Sequence, residues 1–203
     1  MDKLDLRKRL MHLYQPPAKQ VTQVVVPEMN YLMLDGNGDP NTSQEYRDGV
    51  QGLFNLSYTL KFMVKKGALA IDYSVLPLEG LWWAEDMAEF SITDKSNWQW
   101  TMMMAQPDFI NPGMVAEAMQ AIMRKSNPPL LEQVRLESLS EGLCAQIMHI
   151  GPFSAEGPTI ERLHQYIADA GYQRRGKHHE IYLSDIRKAA PEKWRTVIRQ
   201  PMG

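Results

Sequence analysis

A repeated order of predicted elements is the feature that most constrains how this chain folds. A strand-like run ends at the turn residues 35–38, a helical segment follows, and another strand starts at Ala68. The same order recurs around Gly151, with the following strand at His178 and nearly equal spacing. The pattern predicts an α+β fold of two strand-helix-strand-strand halves related by a pseudo-twofold axis. Antiparallel sheets would carry helices on one side, with a ligand groove at the seam.

Local signals predict the individual elements and the ends of the domain. Thr42 and Glu45 form a capping box that opens the first helix, and Gly67 ends it. Strands are predicted over 21–34, 68–75, 78–83, 98–105, 134–139, 143–150 and 178–185, and further helices over about 111–126 and 158–171. The predicted organisation is an amphipathic lead-in over 1–18 and a single domain over 19–203, with halves at about 19–107 and 130–203 joined by the helix near 111–126.

Composition narrows the class of protein and its partners. The chain has 203 residues, of which 44% are hydrophobic and 23% charged, enough for a full globular core. A net charge of −2 gives no overall attraction to nucleic acid, so direct nucleic-acid binding is not expected, and the basic C-terminal region that includes Arg199 is predicted to be a solvated face. Cys144 is the only cysteine, which favours a reducing, cytoplasmic location. No run approaches the roughly 20 apolar residues of a membrane span, so no membrane partner is expected.

A carboxylate inside a predicted strand is the strongest chemical signal. Because side chains alternate along a strand, Glu180 and Tyr182 point to one face while Ile181 and Leu183 point to the other. An aromatic cavity around one carboxylate follows if the tryptophan-rich strands are neighbours. The alternative is a solvent-facing glutamate on an edge strand, with tryptophans that only fill a core.

The tryptophans are concentrated in one segment. Four of the five lie between positions 82 and 100, namely Trp82, Trp83, Trp98 and Trp100. Trp82 and Trp83 are adjacent in a predicted strand, so their rings must point to opposite faces. We therefore expect one of this pair to line the cavity and the other to lie in the core.

Two patterns that suggest a metal site lack the geometry for one. Residues 35–41 imitate the oxygen spacing of a calcium loop, but Pro40 replaces the turn glycine and Tyr46 replaces the bidentate glutamate. His178 and His179 are strand neighbours, so their rings point to opposite faces and cannot easily share one ion.

Glycine-rich nucleotide loops and the GxSxG motif of serine hydrolases are absent from the sequence. No metal and no organic cofactor is expected.

Several motifs together resemble the GyrI-like small-molecule-binding proteins over nearly the whole chain. They are VPEMN at 26–30, DGNGDPN at 35–41, PLEGLWW at 77–83, QPDF at 106–109, HIGP at 149–152, and HHEIYLSD at 178–185 with PEK at 191–193. The resemblance implies a duplicated fold, also used by the effector domains of the transcription activators BmrR and Rob, with a ligand pocket between the halves. It implies that Glu180 is the buried glutamate that meets cationic or planar aromatic ligands. Phe153 departs from the pattern, because many relatives carry tyrosine after the Gly-Pro turn.

The main functional prediction is a binding protein for hydrophobic, planar or cationic drug-like molecules that protects against xenobiotics. Its candidate ligand-binding residues are Glu180, Tyr182, Trp82, Trp83, Trp98, Trp100, Phe153 and His178. The resemblance also implies an alternative, because some stand-alone relatives hydrolyse the cyclopropane of DNA-alkylating natural products. In that cofactor-free reaction Glu180 would be the general base and Tyr182 would orient the water. A third hypothesis is a protein-interaction module such as a gyrase inhibitor, although no motif supports gyrase or another protein partner.

Overall fold

The computed structural model describes residues 2–84, 97–126 and 128–203, and these form a mixed α+β fold. The strands are β1 (Asp2–Leu4), β2 (Thr22–Val26), β3 (Met29–Asn37), β4 (Ile71–Tyr73), β5 (Leu78–Trp83), β6 (Gln99–Gln106), β7 (Arg135–Leu139), β8 (Gly142–Ile150), β9 (His178–Tyr182) and β10 (Arg195–Pro201). The α-helices are α1 (Leu6–Arg9), α2 (Met11–Tyr14), α3 (Gln44–Lys66), α4 (Pro112–Ser126) and α5 (Gly157–Asp169).

Eight strands form one antiparallel sheet in the order β2-β8-β10-β9-β5-β6-β3-β7. Strands β2 and β3 lie near opposite ends of this order, yet only Pro27 and Glu28 separate them along the chain. Because consecutive Cα atoms are about 3.8 Å apart, so short a link spans roughly 11 Å at most. The two ends of the sheet must therefore lie close together, and the sheet curves back on itself. Strands β1 and β4 form a separate parallel pair.

Helices α3 and α5 cover the same face of the sheet. Helix α3 packs on β3 and β6, while α5 packs on β8 and β10. Ser57 of α3 contacts Met104. Ile198 lies in the same hydrophobic core cluster as residues of α5. By strand register both Met104 and Ile198 share a face with Glu180 and Tyr182. The α+β architecture with a large antiparallel sheet is confirmed, and its long helices α3 and α5 lie on one face, whereas α2 contacts the opposite face and duplication of the two halves stays a prediction.

Some predicted element ends are wrong for identifiable physical reasons. The cap of α3 is Ser43, whose Oγ accepts a hydrogen bond from the amide of Tyr46 at 3.1 Å, and Thr42 instead bonds the carbonyl of Asp39. Gly67 ends the helix as predicted. The predicted strand over 21–34 breaks at Pro27, and the one over 68–75 shortens to β4, which pairs with β1 outside the main sheet.

The face of the sheet opposite α3 and α5 holds a buried ionic network. Glu79, His179, Glu141 and Arg199 are all almost fully inaccessible to solvent. His179 bridges the two carboxylates, with its Nε2 2.9 Å from Glu79 and its Nδ1 3.0 Å from Glu141. Arg199 pairs with Glu141 at 3.3 Å. The prediction that Arg199 belongs to a solvated basic face is therefore wrong, because β10 is an inner strand of the sheet.

Opposite charges in this network maintain each other's ionisation. Burial alone would lower the pKa of His179, but Glu141 and Glu79 outweigh burial and raise it to about 9. Burial alone would raise the pKa of Glu141, but His179 and Arg199 lower it to about 2. His179 and Glu141 are therefore both charged at neutral pH, and each compensates for the other's loss of hydration.

The N-terminal segment is joined to this network. Tyr14 donates a hydrogen bond to Glu79 at 2.7 Å, and Arg199 donates to the carbonyl of Leu13 at 2.6 Å. Gln146 donates to the carbonyl of His12 at 2.8 Å. Since Leu13 and Tyr14 are buried, the segment is held against the back of the strands that carry the candidate site.

Candidate functional site

Three cross-strand residue pairs lie at the floor of a cavity between α3 and α5, and all of their residues except Gly80 line it. Strands β5 and β9 place Leu78 opposite Tyr182, Gly80 opposite Glu180, and Trp82 opposite His178. Directly opposed residues of antiparallel strands point to the same face, here the face that the two helices cover. The cavity above them has a volume of about 910 Å³.

Glu180 lies at the centre of a hydrogen-bonded group on this floor. The hydroxyl of Tyr182 donates to Glu180 Oε2 at 2.8 Å, and His178 Nε2 lies 3.1 Å from Glu180 Oε1. Trp82 Nε1 donates to the Tyr182 hydroxyl at 2.9 Å. Glu180 itself is only 8% exposed. The carboxylate therefore has a defined orientation in a poorly hydrated site.

Gly80 allows these groups to approach each other. A Cβ atom at this position would lie about 2.8 Å from Trp82 Nε1 and 3.1 Å from the Tyr182 hydroxyl, and it would also collide with Met102. Any larger residue would displace the indole or the phenol that orients Glu180. The glycine of the PLEGLWW motif thus has a packing role in the site.

The tyrosines of the site remain protonated. Burial, together with the nearby Glu180 carboxylate, raises the pKa of Tyr182 well above its ordinary value. The same two causes raise the pKa of Tyr46, which lines the cavity from α3. At neutral pH the hydroxyl of Tyr182 is therefore a hydrogen-bond donor to the carboxylate.

Several aromatic rings line the cavity that contains the carboxylate. The ring of Trp82 lies 5.2 Å from that of Trp98 and is stacked with Tyr46 at 6.2 Å. Phe153 meets Tyr182 edge-on at 5.6 Å. These ring faces offer flat apolar contact and attract cations through their quadrupoles.

The structure brings six of the eight predicted ligand-binding residues to the cavity lining. They are Glu180, Tyr182, Trp82, Trp98, Phe153 and His178. Trp100 does not reach the lining, because its fully buried ring packs over Gly36 and beneath Tyr46, 5.3 Å away. Trp83 points to the opposite face, where Lys177 Nζ lies 3.2 Å from its ring centroid. The edge-strand alternative for Glu180 is wrong, since β9 lies between β10 and β5.

Sequence reasoning missed the helical side of the cavity. Tyr46, Val50 and Phe54 of α3 and Ile160 of α5 line it, as does Glu156 just before α5. The α3 residues recur at helical spacing, a pattern equally typical of a helix face packed in a core. No local signal distinguishes a stripe that faces a cavity from one that faces packed side chains.

The described residues offer no evident metal centre. Within 2–84, 97–126 and 128–203, no group of three or more His, Cys, Asp or Glu residues is placed to hold a metal ion. Asp35 of the calcium-like segment instead pairs with Arg135 at 2.9 Å and accepts from Thr101 at 2.6 Å. None of the described helices is long and apolar enough to cross a membrane.

Substitution of the adjacent tryptophans is expected to separate the cavity from the opposite face. Trp82→Phe should weaken binding of an aromatic ligand about five-fold, because it removes contact area and the N–H bond to Tyr182, together worth about 1 kcal/mol. Trp83→Phe should leave affinity unchanged, since that ring is half-buried on the other face. Fluorescence or calorimetric titration measures both affinities. Equal losses in the two variants would contradict this assignment.

Comparisons with known proteins place this chain in a family and identify solved structures with a similar fold. A family model described as the GyrI-like small molecule binding domain matches residues 19–202. A conserved protein from Listeria innocua, described as uncharacterized, is 39% identical, with a TM-score of 0.91 over 98% of this chain and 100% of that one. A hydrolase from the same organism is 39% identical, with a TM-score of 0.89 over 100% of both chains. The C-terminal domain of EcmrR shares the fold at 14% identity, with a TM-score of 0.58 over 91% of this chain and 97% of that one. No curated protein shows significant similarity.

Proposed function

Because this chain belongs to the GyrI-like small-molecule-binding family, we propose that its cavity binds hydrophobic, planar aromatic cations and so protects against xenobiotics. The observation that carries the proposal is Glu180, a buried carboxylate on the cavity floor oriented by Tyr182 and His178. The rings of Trp82 and Trp98, 5.2 Å apart, line the same cavity.

The dimensions and chemistry of the cavity support this ligand class. A volume of about 910 Å³ is in the range that accommodates a drug-sized molecule. A poorly hydrated carboxylate gains from a cation that replaces its lost water contacts. Each ring face adds about 0.5–2 kcal/mol to the binding of that cation. A planar aromatic cation satisfies both features, whereas a neutral analogue satisfies only the aromatic one.

Neutralising the carboxylate is expected to weaken the binding of cations selectively. Glu180→Gln keeps the side-chain volume but removes the countercharge, which should cost about 1–3 kcal/mol for a cationic dye and less for its neutral isostere. Quenching of tryptophan fluorescence measures both affinities. Glu161→Gln, an exposed α5 residue outside the cavity lining, is the matched control. Unchanged cation affinity in Glu180→Gln would overturn the electrostatic role.

A second candidate function is cofactor-free hydrolysis of an activated cyclopropane. Two structural relatives that are 39% and 36% identical to this chain are described as hydrolases, and they support this candidate. The oriented carboxylate supports it as well, because a buried base that hydrogen-bonds a water can remove its proton. In DNA-alkylating natural products the strained ring is conjugated to a carbonyl, which makes a ring carbon electrophilic.

The proposed reaction needs only the groups present on the cavity floor. Glu180 accepts a proton from water as the water oxygen bonds to the electrophilic ring carbon. The cyclopropane C–C bond breaks, and its electron pair moves into the conjugated carbonyl. The carbonyl oxygen then takes up a proton from solvent while Glu180 returns its own proton to solvent, so the net change is the addition of one water. Tyr182 holds Glu180 in position and orients the water. The product is a ring-opened alcohol that no longer alkylates DNA.

A further inference from the structure

Two buried glutamates and two exposed arginines of the cavity lining lie at different depths, and the ion pair of Asp185 with Arg187 is a further charged part of the lining. Glu180 and Glu156 lie at the inner end and are 8% and 4% exposed. Arg7 of α1 and Arg47 of α3 also line the cavity, but both are exposed and so lie at its mouth. A ligand that fills the cavity can therefore place one group beside the buried glutamates and another beside the exposed guanidinium groups.

Within residues 2–84, 97–126 and 128–203, no carboxylate neutralises either arginine at the mouth. Arg7 donates to the carbonyl of Val75 at 3.4 Å, and Arg47 donates to the neutral oxygens of Gln44 and Thr42. Among the residues that the structure describes, no carboxylate lies within ion-pair distance of either guanidinium. Arg187, a third arginine of the lining, differs because Asp185 pairs with it at 2.9 Å.

Arg7 reaches the cavity from a segment outside the residues matched by the family model, 19–202. That segment is held in place by the bonds from Tyr14 to Glu79 and from Arg199 to the carbonyl of Leu13. The buried residue Leu6 precedes Arg7 and anchors α1 in the core. Packing on both sides therefore determines where the backbone of Arg7 lies, and the bond to the carbonyl of Val75 directs its side chain.

We propose that the cavity selects amphoteric aromatic ligands, which place a cationic group at Glu180 and a carboxylate, sulfonate or phosphate at Arg7 and Arg47. The inference rests on the proposed binding function. It adds that the ligand carries an anionic group at the end opposite its cationic group. Guanidinium groups suit this role because they bind oxyanions through paired N–H donors. A ligand with a second cationic group at the mouth meets repulsion there instead.

The test compares two dyes that differ in one group. A rhodamine with a free carboxylate is a zwitterion at neutral pH, and the methyl ester of the same rhodamine is a cation. The zwitterion should bind the parent protein more tightly than the ester at low salt. Each of Arg7→Gln and Arg47→Gln should reduce this preference about two- to five-fold, the range expected for one exposed ion pair. Raising the salt concentration should reduce it in the parent as well.

Matched variants separate this selectivity from general effects of charge or folding. Arg9→Gln on α1 and Lys66→Gln at the end of α3 remove exposed charges outside the cavity lining and should leave the preference unchanged. Thermal melting checks that each variant is folded. This inference alone is overturned if the preference for the zwitterion is unchanged in both arginine variants and in high salt. In that outcome Glu180→Gln still weakens the binding of both dyes. If Glu180→Gln weakens neither dye, the proposed electrostatic role of Glu180 in binding fails and this inference fails with it.

Discussion

Arg199→Met is expected to lower the free energy of unfolding by about 3–5 kcal/mol. The substitution keeps much of the side-chain volume but leaves Glu141 buried with one partner fewer. It also removes the donors to Gln146 and to the carbonyl of Leu13. Uncompensated buried charge and unpaired acceptors account for the size of the effect. Urea unfolding followed by tryptophan fluorescence measures it.

Arg195→Met is the matched control on the same strand. Arg195 is exposed at the start of β10, so its replacement should change stability by no more than about 0.5 kcal/mol. A similar small change in Arg199→Met would mean that the network contributes little to folding. Arg199→Met should also loosen the N-terminal segment, because it removes the bond to the carbonyl of Leu13. Faster proteolysis before residue 20 would reveal this change.

If the cavity hydrolyses activated cyclopropanes as proposed, Glu180→Ala is expected to abolish the excess of the rate of ring opening over the rate in buffer. General-base assistance is typically worth about 10²–10⁴-fold, so the variant should approach the rate in buffer alone. Tyr182→Phe should retain part of the rate, because the carboxylate remains but loses one of its orienting hydrogen bonds. Chromatographic measurement of the ring-opened, water-added product follows the reaction, and chelators should not affect it.

The control for this experiment is the exposed variant Glu161→Gln, which should turn over at the parent rate. Protection of DNA from alkylation that is only stoichiometric in protein would contradict catalysis. If the protein only slows alkylation in proportion to its concentration and releases the compound unchanged after denaturation, the cavity sequesters the compound, and the hydrolase candidate should be rejected.

The sequence by itself determined the local geometry of the site. Alternation along β9 places Glu180 and Tyr182 on one face and Ile181 on the other, and the structure has this arrangement. The same rule separates His178, which faces the cavity, from His179, which lies in the network behind it. These predictions succeed because the direction of a side chain along a strand depends only on neighbouring backbone dihedral angles.

Only the tertiary structure decided which elements meet. Register across β5 and β9 selects Trp82 for the cavity and turns Trp83 away, although nothing local distinguishes the two. Curvature of the sheet and the course of the N-terminal segment bury Arg199 and bring Arg7 to the cavity mouth. These outcomes depend on contacts between residues far apart in the chain, and such contacts are set by the packing of the whole core, which no short stretch of sequence encodes.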